Sequence, residues 1–202
     1  LNDKNLTPMM EQYQAQKSQH PNELLFFRLG DFFEMFNEDA EIASREIGLT
    51  LTQRQQVPMC GVPAHAIESY LQKLVDKGYR VAIVDQIGDP KAKGLTERAL
   101  TKIVTPGTIL TEDALTNSGN NYLVLIMEGG DEISLAGADI STGEIFFALY
   151  DGGSREQNLF DELYRLSPHE ILIAEGLSFF KRLKIFSDAK LDGCTFPNFD
   201  AA

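Results

Sequence analysis

In the first half of the chain, short apolar runs alternate with stretches in which apolar residues recur at helical spacing. Thr7-Pro8 reads as an N-cap followed by Pro at the first helical position, so a helix is predicted from there to about Ser18, ahead of His20-Pro21. Glu23–Leu29 is apolar and aromatic and reads as a buried strand ending at Gly30. From about Phe32 to Glu46 the spacing predicts a second helix, with Met35, Phe36, Ala40 and Ala43 on one face, Asp31 as N-cap and Gly48 as the stop. Leu49–Thr52 reads as a short strand. A loop holding Pro58, Gly61 and Pro63 then leads into a helix over about Ala64–Lys77, which Gly78 ends. Tyr79–Gln86 and Arg98–Val104 read as strands on either side of a polar loop, Gly88–Gly94. Strands alternating with helices predict an α/β layer architecture with a mixed sheet.

The pattern changes after Thr105-Pro106-Gly107-Thr108. Asn121–Met127, Glu132–Asp139 and Glu144–Tyr150 read as three strands joined by tight turns at Gly129-Gly130-Asp131 and Ser141-Thr142-Gly143, an antiparallel meander. A helix at about Glu156–Leu166, a strand at Glu170–Ala174 and a short helix near Leu177–Lys184 follow. Two domains are expected, 1–113 and 120–202, joined by a polar linker over 114–119, with the second domain cut short.

Charge sharpens this division. Residues 1–111 carry 12 Lys+Arg against 14 Asp+Glu, net −2; residues 112–202 carry 6 against 16, net −10. Phosphate contact needs Lys and Arg. The acidic second half is therefore a poor surface for nucleic acid, and the near-neutral first half can use only local basic patches. Cys60 and Cys194 form no CxxC and the three His residues no zinc pattern. Two distant cysteines read as reduced thiols, with a lone disulfide left open. The polar N-terminus lacks a signal-peptide run, and the longest apolar run, near Leu123–Met127, is far too short to span a bilayer. A soluble, cytoplasmic chain with no membrane partner is expected.

The candidate chemistry lies in Arg28-Leu29-Gly30-Asp31-Phe32-Phe33-Glu34. An aromatic followed two residues later by a carboxylate, beside a glycine turn, can supply an apolar wedge between bases and a group that tests the disturbed base. On pattern alone Phe32 is read first as a core aromatic and Glu34 as a solvated helix residue near an N-terminus.

Leu6-Thr7-Pro8-Met9-Met10, Gly30-Asp31-Phe32-Phe33-Glu34, Pro58-Met59-Cys60-Gly61-Val62-Pro63 with His65, Gln86-Ile87-Gly88-Asp89-Pro90 and Val104-Thr105-Pro106-Gly107-Thr108 change that weighting. In order and spacing they resemble the N-terminal part of the MutS family of DNA mismatch repair proteins, over about residues 6–112. Residues 120–180 resemble the family's connector domain. The resemblance implies a mixed-sheet mismatch-recognition domain followed by a ribonuclease-H-like connector. It implies that Phe32 stacks on a mispaired or unpaired base from the minor groove and that Glu34 hydrogen-bonds it. Arg54 matches a position the family uses against the DNA backbone, and Leu29, Met59 and Arg98 lie where family members also approach the duplex. For these three the plain alternatives are core apolar residues and a solvated cation. The segment between Arg54 and Pro58 is shorter than in some relatives.

The partners implied are mismatched double-stranded DNA, a MutL-type repair protein through the connector, and a second copy of the full-length chain. No cofactor is expected in this piece: ATP and Mg²⁺ belong to the family's ATPase domain, and no P-loop pattern occurs here. Two other function classes come from the second half. Ala138-Asp139-Ile140-Ser141-Thr142-Gly143-Glu144 resembles carboxylate sites of ribonuclease-H-like nucleases, although a two-metal site needs several converging acids and Asp139 alone is in place. The acidic surface, with Glu128, Asp131, Glu132, Glu156, Asp161 and Glu162, suits a protein-interaction module. The expectation is a non-enzymatic chain that senses mispairs.

Overall fold

The computed structural model describes residues 7–87, 96–109, 120–174, 177–179, 181–183 and 190–194, which fall into two compact units divided between Thr105 and Pro106. The expected loop Gly88–Gly94 and the linker at 114–119 lie outside the described residues, as does part of the short helix near Leu177–Lys184, whose described portion is helical at 181–183.

The first unit opens with α1 (Pro8–Gln19), where the Thr7 hydroxyl accepts from the Met10 N–H at 3.4 Å as the N-cap. The continuous apolar run becomes β1 (Leu24–Leu29). The next segment corrects the sequence reading: Phe32–Phe36 is not the start of a helix but a strand, β2, antiparallel to β1 with Leu29 opposite Phe32. Gly30 takes φ +60°, so Gly30-Asp31 forms a two-residue hairpin turn with glycine at the first central position, and Asp31 is a turn residue rather than an N-cap. The helix α2 begins only at Asn37 and runs to Ile47, and Gly48 ends it in the left-handed conformation as predicted. The expected strand over Leu49–Thr52 lies later, as β3 (Thr52–Arg54). The expected proline loop is itself a strand, β4 (Val57–Pro63), tolerating Pro58 and Pro63 near its ends. A 3₁₀ turn (Ala64–Ala66), α3 (Ile67–Val75), β5 (Val81–Gln86) and β6 (Arg98–Val104) complete a six-stranded mixed sheet in the order β3-β4-β2-β1-β5-β6.

Helix α1 covers part of one sheet face. Met10 and Tyr13 pack with Leu25, Phe27, Phe36, Ala82 and Val84, and the Tyr13 ring meets Phe27 and Phe36 edge-on at 5.5 and 5.0 Å. On the other face Cys60 points toward α2, its thiol donating to the Ala40 carbonyl at 3.5 Å. Burial, and then the charge of Asp39, push that thiol up to about 12, so Cys60 stays protonated and unreactive at neutral pH.

The second unit contains β7 (Tyr122–Gly129), β8 (Glu132–Asp139), β9 (Glu144–Tyr150), α4 (Arg155–Leu166), β10 (Glu170–Ala174) and β11 (Lys190–Cys194). The sheet order is β11-β10-β7-β8-β9, with β7, β8 and β9 an antiparallel meander and β10 and β11 added in parallel. Three antiparallel strands followed by two parallel ones is the arrangement expected of a ribonuclease-H-like domain. Leu159, Phe160, Leu163 and Leu166 of α4 pack against Val124, Ile126, Ile133, Leu135, Ile171 and Ile173 on one face. Gly137 is needed in β8 because the Phe146 ring, opposite it on β9, occupies the space of a Cβ. Among the described residues no helix is long and apolar enough to cross a membrane.

Candidate nucleic-acid interface

Because β2 is a strand, Phe32 and Glu34 point to the same side, whereas a helix would turn them apart by about 200°. The register extends this face across the sheet. Leu29, Phe32 and Pro63 lie opposite one another in neighbouring strands, as do Phe27, Glu34 and Gly61, and Phe36, Met59 and Thr52. Arg54 sits opposite Val57, in phase with Met59. Across β1, Phe27 lies beside Val84, which faces Leu100, and Arg98 follows two residues before on β6. All six residues singled out in the sequence therefore share one face of one sheet.

They do not share one environment. Phe32 is 47% exposed at the strand's start, whereas Phe33 and Phe36 are buried. The Glu34 carboxylate accepts from Arg54 Nη1 at 2.6 Å, and Glu34 is the shielded partner, its side chain 15% exposed against 48% for Arg54. Leu29 and Met59 are half-buried and pack against the cluster under α1. Arg98 is engaged within the unit: Nε donates to the Arg28 carbonyl at 2.7 Å, Nη1 to the Thr96 carbonyl at 2.8 Å and to Gln12 at 3.2 Å, and the guanidinium lies 5.2 Å from the Phe27 ring centroid. Burial lowers its pKa. Phe32, Glu34 and Arg54 form the open part of the face, with Leu29 beside Phe32; Met59 and Arg98 belong to the packed part behind it.

Two contributors were missed in the sequence. Gly61, across from Glu34, places no side chain on this face, and a Cβ there would touch Glu34 Cγ at 3.5 Å. The β3–β4 turn holds Gln55 and Gln56 at φ +51° and +68°, the pattern of a type I′ hairpin made without glycine or asparagine. Left-handed backbone costs roughly 1–2 kcal/mol per non-glycine residue, and such strain concentrates at functional sites. The hairpin follows from β4 being a strand, which Pro58 and Pro63 conceal in the sequence.

Residues 7–113 match the family described as MutS domain I, and residues 121–194 the family described as MutS domain II. The chain belongs to the MutS family. It is 58% identical over 146 residues to the DNA mismatch repair protein MutS of Pseudothermotoga lettingae, covering 72% of this chain and 18% of that protein. To the MutS of Desulforamulus reducens it is 48% identical over 179 residues (85% and 21%), and to that of Halothermothrix orenii 45% over 191 residues (92% and 21%). The chain thus spans about a fifth of the length of the MutS relatives it matches. The face that carries Phe32, Glu34 and Arg54 lies wholly within the residues matched to domain I.

In the domain II match, Asp139 is 1% exposed at the end of β8. Its Oδ1 accepts from the Ser141 hydroxyl at 2.6 Å, the Ser141 N–H at 2.9 Å and the Asn121 N–H at 3.3 Å. Burial acts to raise its pKa, but the hydrogen bonds from Ser141, Asn121 and Thr142 together hold it below the usual carboxylate range. Among the described residues no three His, Cys, Asp or Glu side chains gather as metal ligands. Asp139 closes the turn through Oδ1, which ties Ser141 beyond the end of β8 to Asn121 ahead of β7.

Proposed function

We propose that the first unit senses mispaired or unpaired bases in double-stranded DNA, with Phe32 entering from the minor groove to stack on the base and Glu34 hydrogen-bonding it. Membership of a mismatch repair family gives the setting. The observation that carries the finer reading is the exposure of Phe32 on the same sheet face as Glu34, in a unit whose other aromatics at β1 and β2 are buried. A mispair is poorly stacked, so opening it costs less than opening a Watson–Crick pair, and selectivity follows from deformability. The ring replaces lost stacking, worth roughly 1–3 kcal/mol per base. A carboxylate near phosphates is tolerable only where it meets a base N–H or is neutralised, so Glu34 discriminates more than it binds.

The test is a low-salt titration of the chain against a G·T or single-unpaired-T duplex and the matched duplex, with Phe32→Ala in parallel. Preference for the defective duplex is expected, falling by roughly tenfold in Phe32→Ala, the scale of one lost base–aromatic stack. Equal binding to both duplexes, unchanged by the substitution, would remove Phe32 as the sensor.

A second role is favoured by a separate observation in the second unit. Ile145, Phe147 and Leu149 are 80%, 87% and 61% exposed in a row on the edge strand β9, near exposed Asp131, Glu132 and Glu144. Apolar rows rimmed by charge mark protein-interaction sites. We assign this surface to a MutL-type repair partner, with pairing of two full-length copies as the assembly in which one supplies the wedge. Phe147→Glu is expected to abolish co-purification with that partner while leaving DNA preference intact; unchanged co-purification would sink this role.

A further inference from the structure

We propose that Arg54 is a positioning residue for Glu34, neutralising and aiming its carboxylate with one N–H while offering its remaining donors outward to a DNA phosphate. The inference rests on the reading of Phe32 and Glu34 above and deepens it, giving Arg54 a part in discrimination as well as in backbone contact.

The pair is built across the sheet. Strand β4 lies between β2 and β3, so the contact from Arg54 to Glu34 passes over an intervening strand. That strand presents Gly61 opposite Glu34, leaving the carboxylate free to lie across the face. Arg54 is the residue immediately before the Gln55-Gln56 turn, so the strained hairpin tip fixes where its side chain starts. The contact uses Nη1 and a single carboxylate oxygen. A guanidinium has five N–H donors in a fixed fork, so it can hold a carboxylate at one edge and a phosphate at another, which an ammonium cannot do with the same geometry.

Exposure gives the pair a direction. Glu34 is the inner member and Arg54 the outer, so an approaching polyanion meets the guanidinium first. The other nearby cation on these strands, Arg28, is out of phase with Glu34 and lies 5.0 Å from the Phe33 ring centroid on the opposite face. Neutralisation of Glu34 therefore falls to Arg54. Without it, a carboxylate would stand unpaired beside phosphates, repelling matched and mispaired duplexes alike and free to rotate away from the base. With it, Glu34 is held where a displaced base edge can reach its second oxygen.

The test is a double-mutant cycle of E34Q, R54Q and the double variant in the full chain. Affinity is read at low salt for the G·T and matched duplexes, and melting midpoints are read without DNA. Positioning predicts that R54Q lowers the mispaired-to-matched affinity ratio about threefold or more in the native background but leaves it unchanged beside E34Q, a non-additive cycle. A residue that only contacts phosphate would lower both affinities by one factor, reduce the salt dependence by about one counterion, and act additively with E34Q; that result overturns the proposal. A native chain with no preference for the mispair would instead overturn the function proposed above. The DNA-free melts then judge the pair alone: non-additive midpoints uphold it and additive ones reject it.

Discussion

Asp39→Ala is expected to destabilise the first unit by about 3 kcal/mol, the sum of a partly buried ion pair lost and a buried amide stranded. Asp39 is 3% exposed in the first turn of α2, and its carboxylate ties together three elements. It accepts from Lys17 Nζ at 2.9 Å and the Tyr13 hydroxyl at 3.2 Å in α1, and from the Leu25 N–H at 3.1 Å in β1. Lys17 is 30% exposed and can recover water, so it contributes the smaller share of the loss. The Leu25 amide is fully buried and loses its acceptor outright, while Tyr13 keeps the Phe36 carbonyl at 3.2 Å. For a domain of this size the melting midpoint should fall by roughly 10–20 °C. Asp39→Asn, which retains an acceptor oxygen, should lose clearly less. A shift of under about 3 °C in Asp39→Ala would show that water replaces the carboxylate and that the network is not a structural tie.

Part of the fold is hidden in the sequence because two periods compete there. Along the chain, Met35, Phe36, Ala40 and Ala43 fit one helical stripe that extends back to Phe32. In the folded unit Phe36 and Met35 point to opposite sheet faces, and only the residues from Asn37 onward are helical. A local signal for the break was present: Gly30-Asp31 between two apolar runs is a hairpin sequence. The helical period of Asn37–Ile47, extended backward, outweighed it. Strand β4 was hidden for a related reason. Pro58 and Pro63 read as loop punctuation, yet both sit near the strand's ends, where a missing N–H is tolerated.

Where the two periods did not compete, the elements were legible. β6, β8, β9 and β10 have the predicted limits, because turn residues stand beside each one: Pro106 after β6, Gly130-Asp131 before β8, Asp151-Gly152 after β9 and Pro168 before β10. The candidate site was legible as motifs but not as geometry. Its residue types could be picked out one by one, whereas their meeting on one face depends on the pairing of β1, β2, β4 and β3, which acts over non-local contacts. The Glu34–Arg54 pair, twenty residues apart in sequence, follows from that pairing and from nothing local.

Asp139→Ala should cost the second unit about 2–3 kcal/mol at neutral pH, since a buried N–H stripped of a charged acceptor loses about 1.5–3 kcal/mol. The Asn121 N–H is buried beside it, and its loss dominates; the Ser141 hydroxyl and N–H are better placed to find water. The effect should depend on pH with a definite sign. Asp139's carboxyl is held below its ordinary range in the folded chain, so its stabilisation is fully present above the unfolded carboxylate value near ~3.9 and is lost as pH falls through the lower folded value. Glu128 and Glu162 are lowered as well, the first by hydrogen bonds from Ser178 and the second by Arg165, so the native unit loses stability in acid from several groups at once. The difference between the native chain and Asp139→Asn isolates the one carboxylate. Denaturant unfolding at pH 7 and pH 3, followed by amide exchange of β7 and β8, should show that difference shrinking at the lower pH. A difference that stays constant, or grows in acid, would mean that the charge of Asp139 contributes nothing to closing the turn, and that its oxygens act only as neutral acceptors.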